Sequence, residues 1–256
     1  MTALAELMPV VNETLWQGFL VFLRVAALAS MLPAFGEQSV PARIKLNVAL
    51  AFTVIVTPAV VTMGIPQQQS ALSIIIFTEV FAGLALGIGI RLFVLALQTA
   101  GTIAANATSL SQVFGNSGVD PMPAMGYILI VGGLALAVMS GLHVKAAQLV
   151  ILSYEFMPMG RFTEATVLTD WGVSQVARAF TLAFTLAAPF VILSVLYNVA
   201  LGAINKAMPQ LMVAFVGAPV ITAGGLFLLL VSSPLILSVW LEAMDGFLSN
   251  PFGPVR

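Results

Sequence analysis

Six apolar runs dominate this chain, and they restrict its folds more than any motif does. They are Leu15–Leu32, Ile44–Met63, a third from Ala71 to at least Leu97, Tyr127–Ala147, Val176–Ile204 and Met212–Trp240. A bilayer core about 30 Å thick is crossed by a helix of about 20 apolar residues. Backbone polar groups at that depth must be satisfied internally, so only helices or closed barrels qualify. Barrel strands alternate in polarity over about ten residues, and these runs do not. The expected class is all-α, a polytopic helical membrane-type protein. The last two runs exceed a bilayer's thickness, which implies tilt, kinks at Pro189, Pro219 and Pro234, or extension into a larger assembly.

Composition closes the soluble alternative. Charged residues make up 7% of the 256 residues, against about 25% in a typical soluble domain. Lipid, other apolar subunits, or both must therefore be the solvent. A net charge of −1 offers nothing to a nucleic acid. With no cysteine and a single histidine, His143, the chain has no thiolate or multi-histidine metal site. It carries no HExxH, P-loop or GxSxG. No cofactor is expected, and catalysis is not. The acidic start MTALAELMPVVNE lacks the basic region of a cleaved signal peptide. Glu6 and Glu13 precede the first run, while Arg43 and Lys45 follow it, so the positive-inside rule favours an outside N-terminus. The later basic residues Arg91, Arg161, Arg178 and Lys206 are assigned to loops.

Two charges lie well inside apolar runs: Arg24 in the first and Glu79 in the third. A charge at bilayer centre costs about 2.5–3.5 kcal/mol even on lenient scales, so each needs a reason. One reading is a proton or ion relay. The other, favoured because no chain of acids accompanies them, is an ion pair or interhelical hydrogen bond that fixes packing. His143 and Lys145 close the fourth run, where cations suit a helix end or an interface. Small residues recur four apart, at Gly83 and Gly87 and at Gly133, Ala137 and Gly141. Such stripes permit close helix approach where lipid supplies no hydrophobic push.

Between the third and fourth runs the chain turns polar. Residues Gln98–Gln112 read QTAGTIAANATSLSQ, partly helical in propensity yet too polar to face lipid. Ser111–Gly126, SQVFGNSGVDPMPAMG, adds helix-breaking glycines and prolines. Irregular polar backbone at membrane depth survives only inside protein or beside water. The stretch either lines or obstructs an aqueous conduit, or is an exposed connecting loop.

Several stretches together resemble the FliR/SctT family of type III secretion export-gate subunits. FLRVAALASMLPAFGEQSVPARIKLNVALAF, Phe22–Phe52, is similar to that family's F-x-R start, P-x-F-G turn and V-P-x-R-x-K step. Asp120–Gly126 resembles its D-P-x-P-x-x-G core, and Ser140–Gly160 its Gly-His motif and S-F/Y-x-x-x-P-x-G close. Ala188–Val220 resembles its hairpin with a basic–x–x–P-Q turn. The chain departs at Val144, where the family commonly has a second histidine. It departs also at Met212, often Asn, and at Lys206, often Arg.

The resemblance implies a core subunit of the flagellar export gate, with injectisome use as the near alternative and a small-molecule secondary transporter as a distant one. It implies a FliP-like part, residues 1–170, and a FliQ-like hairpin, residues 171–256. It implies assembly with FliP and FliQ homologues, beside FlhB and FlhA homologues, in the bacterial inner membrane and flagellar basal body. Unfolded export substrates would pass through the pore. It also implies that residues 111–126 project into that pore as a plug. Its pore-facing residues would be Ser111, Gln112, Phe114, Gly115, Asn116, Gly118, Asp120, Pro121, Met122 and Pro123.

Overall fold

The computed structural model describes residues 2–37, 39–61, 72–108, 124–208 and 213–253. Seven helices form among them. They are α1 (Thr2–Met31), α2 (Ala42–Val61), α3 (Leu72–Thr108), α4 (Ala124–Met139), α5 (Leu142–Phe156), α6 (Ala165–Ala207) and α7 (Val213–Ser249). No strand occurs among the described residues. Five of these helices are long and apolar enough to cross a membrane; the bent pair α4 and α5, taken as one span, makes six.

The helices exceed the runs read from hydropathy. At about 1.5 Å per residue, the 43 residues of α6 reach about 64 Å, roughly twice a bilayer core of about 30 Å. Its first turns carry Thr169, Asp170, Trp171 and Ser174, which lower hydropathy without breaking the helix. The α3 helix likewise continues through the polar TAGTIAANAT to Thr108. There Thr102 and Thr108 donate their hydroxyls to the Gln98 and Ala104 carbonyls of their own helix, each at 2.9 Å. That back-bonding removes the penalty for a hydroxyl without water. Arg91, Arg178 and Lys206, read as loop residues, lie inside helices, Arg91 in α3 and the other two in α6.

The fourth run is not one straight helix. It breaks at Ser140–Gly141, where Gly141 takes φ +84°, a left-handed conformation that side chains resist. Its amide donates to the Val138 carbonyl at 3.1 Å, and its carbonyl accepts from Val144 and Lys145. One residue thus ends α4 and begins α5.

The turn between α1 and α2 joins the P-x-F-G residues to Lys45. After Pro33 the backbone reaches φ +69° at Ala34, and Gly36 N–H donates to the Leu32 carbonyl at 2.6 Å. A Cβ on Gly36 would strike the Ser30 carbonyl. Lys45 Nζ reaches back from α2 to the Gly36 carbonyl at 2.9 Å, tying the turn to the helix that follows.

The chain packs as two compact units. The first comprises 1–92, 138–175 and 245–256; the second comprises 93–137 and 176–244. In the first, Leu20, Val25, Leu28, Leu32, Leu86, Ile90, Leu142 and Leu149 are fully enclosed. In the second, Leu97, Leu129, Phe190 and Trp240 are. Trp240 Nε1 donates to the Phe93 carbonyl at 2.7 Å, so the largest ring in that core leaves no polar atom unsatisfied.

Candidate functional site

Within the first unit, Arg24 of α1 and Glu79 of α3 meet with neither side chain more than 1% exposed. Arg24 Nε donates to Glu79 Oε2 at 2.9 Å and its NH2 group to Oε1 at 3.0 Å, a two-pronged pairing. Its NH1 group donates to Ser153 Oγ at 2.9 Å, and NH2 also donates to the Met157 carbonyl at 2.8 Å. The guanidinium stacks 3.7 Å from the centre of the Tyr154 ring. Tyr154 O–H closes the circuit by donating to Glu79 Oε2 at 3.1 Å. One arginine therefore gathers α1, α3, α5 and the turn after α5.

Close backbone approach makes the meeting possible. A Cβ on Gly83 would fall on the Arg24 carbonyl oxygen, and one on Gly87 would lie 2.7 Å from Met31 Cβ. The Gly83–Gly87 stripe thus seats α3 against α1 of the same chain. Glu79, one turn before Gly83, is carried to the guanidinium by that approach. Past α5, Gly160 turns the chain with φ +70°, and Arg161 N–H donates to the Pro158 carbonyl at 3.3 Å. The void bordered by Arg24, Thr78, Ala82, Met157 and Arg161 is about 20 Å³. That holds about one water and no substrate.

Chemically, the arrangement is a saturated clasp. Each carboxylate oxygen of Glu79 is engaged by Arg24, and Oε2 by Tyr154 as well. Among the described residues no group of three His, Asp or Glu side chains stands ready for a metal. Arg24 and Glu79 were visible in the sequence as isolated charges. Ser153 and Tyr154 were not, although the S-Y-x-x-x-P-x-G stretch that holds them was. Their role emerges only when α5 is laid beside α1.

The other sequence candidates fall elsewhere. Lys145 Nζ donates to Asp245 Oδ1 at 2.7 Å, a pair about one-third exposed. His143 is exposed on α5. Gly133 packs beside Leu97 and Trp240. Ser111, Gln112, Phe114, Gly115, Asn116, Gly118, Asp120, Pro121, Met122 and Pro123 all lie outside the described residues.

Long apolar helices fastened by a buried charge clasp define a polytopic, all-helical membrane-type protein. Residues 15–247 match the model of the bacterial export proteins, family 1, and the chain belongs to that family. It is 35% identical to the flagellar biosynthetic protein FliR of Caulobacter vibrioides over 227 residues, covering 87% of this chain and 90% of that one. The FliR protein of Escherichia coli is 29% identical over 85% of this chain and 84% of its own. That of Bacillus subtilis is 24% identical over 86% and 87%. The chain is a flagellar protein-export component.

Proposed function

We propose that this chain is a core subunit of the flagellar type III export gate, acting without catalysis. With FliP and FliQ homologues it would form the pore for unfolded flagellar proteins in the inner membrane, at the basal body, next to FlhB and FlhA homologues. The family match over residues 15–247 carries the reading. The surface supports it. Phe184, Leu196, Phe227, Leu230 and Val54 are each at least 60% exposed. Side chains of this kind need lipid or a partner to cover them.

In this reading residues 1–170 correspond to a FliP-like part and 171–256 to a FliQ-like hairpin. Correspondence to partner subunits and packing within the lone chain are separate properties, so the two compact units need not share that boundary. Arg24 and Glu79 serve packing, since their clasp is saturated. Residues 111–126 are plug material, with Phe114 and Met122 as apolar seals.

Coexpression with FliP and FliQ homologues tests the assignment: the three should copurify as one complex. A monodisperse chain that ignores both overturns it. Deletion of Gly115–Gly118 tests the plug. Burial of apolar area is worth about 25 cal/mol per Å², so loss of a small seal shifts closure by about 1–3 kcal/mol. The expected result is a complex of unchanged size that admits small ions or dyes. A deletion complex as tight as the parent makes the segment an ordinary connecting loop.

A further inference from the structure

Three features of the second unit meet where α3 ends and α4 begins, and the family reading uses none of them. Thr108, the last residue of α3, is 1% exposed. Its hydroxyl lies 3.8 Å from the Met125 sulfur in the first turn of α4. Two turns back along α3, Gly101 lies so close to Gly126 that a Cβ on Gly101 would collide with the Gly126 Cα. The chain therefore leaves α3 and re-enters α4 at one place. A third helix holds that place. Thr222 of α7 donates its hydroxyl to the Thr108 carbonyl at 3.2 Å. One turn further along α7, Gly225 forms a notch for the Thr108 side chain. A Cβ there would stand 2.7 Å from both Thr108 Cβ and Cγ2.

The chemistry of helix ends gives this arrangement its meaning. The last carbonyls of a helix lack intrahelical donors and need another partner. Here a donor comes from a distant helix, so α7 helps to cap the end of α3. We propose that Thr108, Thr222 and Gly225, with Gly101 against Gly126, form a staple that pins the two ends of the 109–123 segment together on α7. They are positioning residues. Whatever motion accompanies export, the roots of the segment do not separate. The consequence for permeability rests on the plug reading above; the staple itself does not.

Hydrogen exchange on the intact coexpressed complex tests the staple. In the parent complex, amides of 104–108 and 126–130 should be as protected as those of the α3 interior. Thr222→Val keeps shape and removes only the donor. It should speed exchange at the end of α3 about fivefold, the change expected from losing one ordinary hydrogen bond. Gly225→Ala should do more, by driving Thr108 from its notch. Thr108→Gly added to it removes every atom in conflict and should restore protection in 126–130. Recovery by the double variant keeps the test valid if Gly225→Ala alone assembles poorly. Rapid exchange of both ends in the parent complex overturns the staple. So do Thr222→Val and Gly225→Ala that exchange like the parent. Solute flux separates the two ideas: lost protection with an impermeable membrane upholds the staple and removes the plug, whereas lost protection with leakage upholds both.

Discussion

The two compact units solve the same problem, holding apolar helices together, by different means. The first unit contains Arg24, Glu79, Lys145 and Asp245, and its deepest polar contact is between full charges. Charged side chains in the second unit's residues are limited to Asp120, Arg178, Lys206 and Glu242. Three of its contacts between helices end on backbone carbonyls: Trp240 on Phe93, Arg178 on Ala243 and Thr222 on Thr108. It also has glycine notches, among them Gly101, Gly133 and Gly225. Charge pairing specifies one partner and tolerates no loss of it. Notch packing depends on the absence of a side chain and tolerates no gain. The first unit has such notches too, at Gly83 and Gly87, so what sets it apart is a buried charge pair that cannot lose a partner.

Arg24→Leu should have the largest effect. It strands Glu79 in the first core with only the Tyr154 hydroxyl donating to it, and removes the donor to Ser153 Oγ and the Met157 carbonyl. Breaking a buried pair from one side costs about 3–5 kcal/mol, so the solubilised complex should lose most of its thermal stability or fail to assemble. Leucine at 24 and 79 together with Tyr154→Phe removes charge and orphaned hydroxyl alike. That triple variant should assemble better than the single one, because buried ion pairs are often no better than apolar replacements. Melting temperature and native-gel size decide the matter. A triple variant as damaged as Arg24→Leu would mean the clasp supplies something that apolar packing cannot.

The second unit should fail the other way. Gly101→Val drives a side chain onto the Gly126 backbone, which cannot yield as a flexible side chain can. Overpacking of this kind costs about 1–3 kcal/mol. Gly224 on α7 is the control, since the nearest atom to its Cβ position is Leu193 Cδ2 at 3.9 Å. Gly224→Ala should be neutral or slightly stabilising, as alanine is the better helix former. Equal damage from both substitutions, read as melting shifts, would deny that the notch is what holds α4 to α3.

Legibility in the sequence followed the same division. Isolated charges in apolar runs are conspicuous, so Arg24 and Glu79 could be picked out and a pairing suspected. Notches are not conspicuous, because a glycine in an apolar helix looks alike whether or not a backbone lies against it. Gly83 and Gly87 stood out by spacing, whereas Gly101 and Gly225 did not. The break at Gly141 was concealed by uninterrupted hydropathy: a left-handed φ needs no polar residue to announce it. The true start of α6 was concealed for the opposite reason. Trp171 and Asp170 look like loop, yet Trp171 Nε1 donates to the Pro251 carbonyl at 2.7 Å, and Phe252 packs against the ring. A contact eighty residues away stabilises that turn, and no local window contains it.

The smallest effect should come from the first unit's other ion pair, Lys145 with Asp245. Its 2.7 Å distance is shorter than any contact in the Arg24 clasp, yet distance is a poor guide to energy here. Both side chains are about one-third exposed, so water competes for each and salt screens the remainder. Partly exposed pairs of this sort contribute about 0.2–1 kcal/mol. Lys145→Ala should therefore lower the melting temperature only slightly, and the difference should shrink further as salt is raised. Arg24→Leu should show no such salt dependence, because ions do not reach a guanidinium that is 1% exposed. Measured across a salt series, the two variants separate burial from proximity. A Lys145→Ala complex as unstable as Arg24→Leu, and equally insensitive to salt, would show that the assembled complex buries Lys145 and Asp245 beneath a partner.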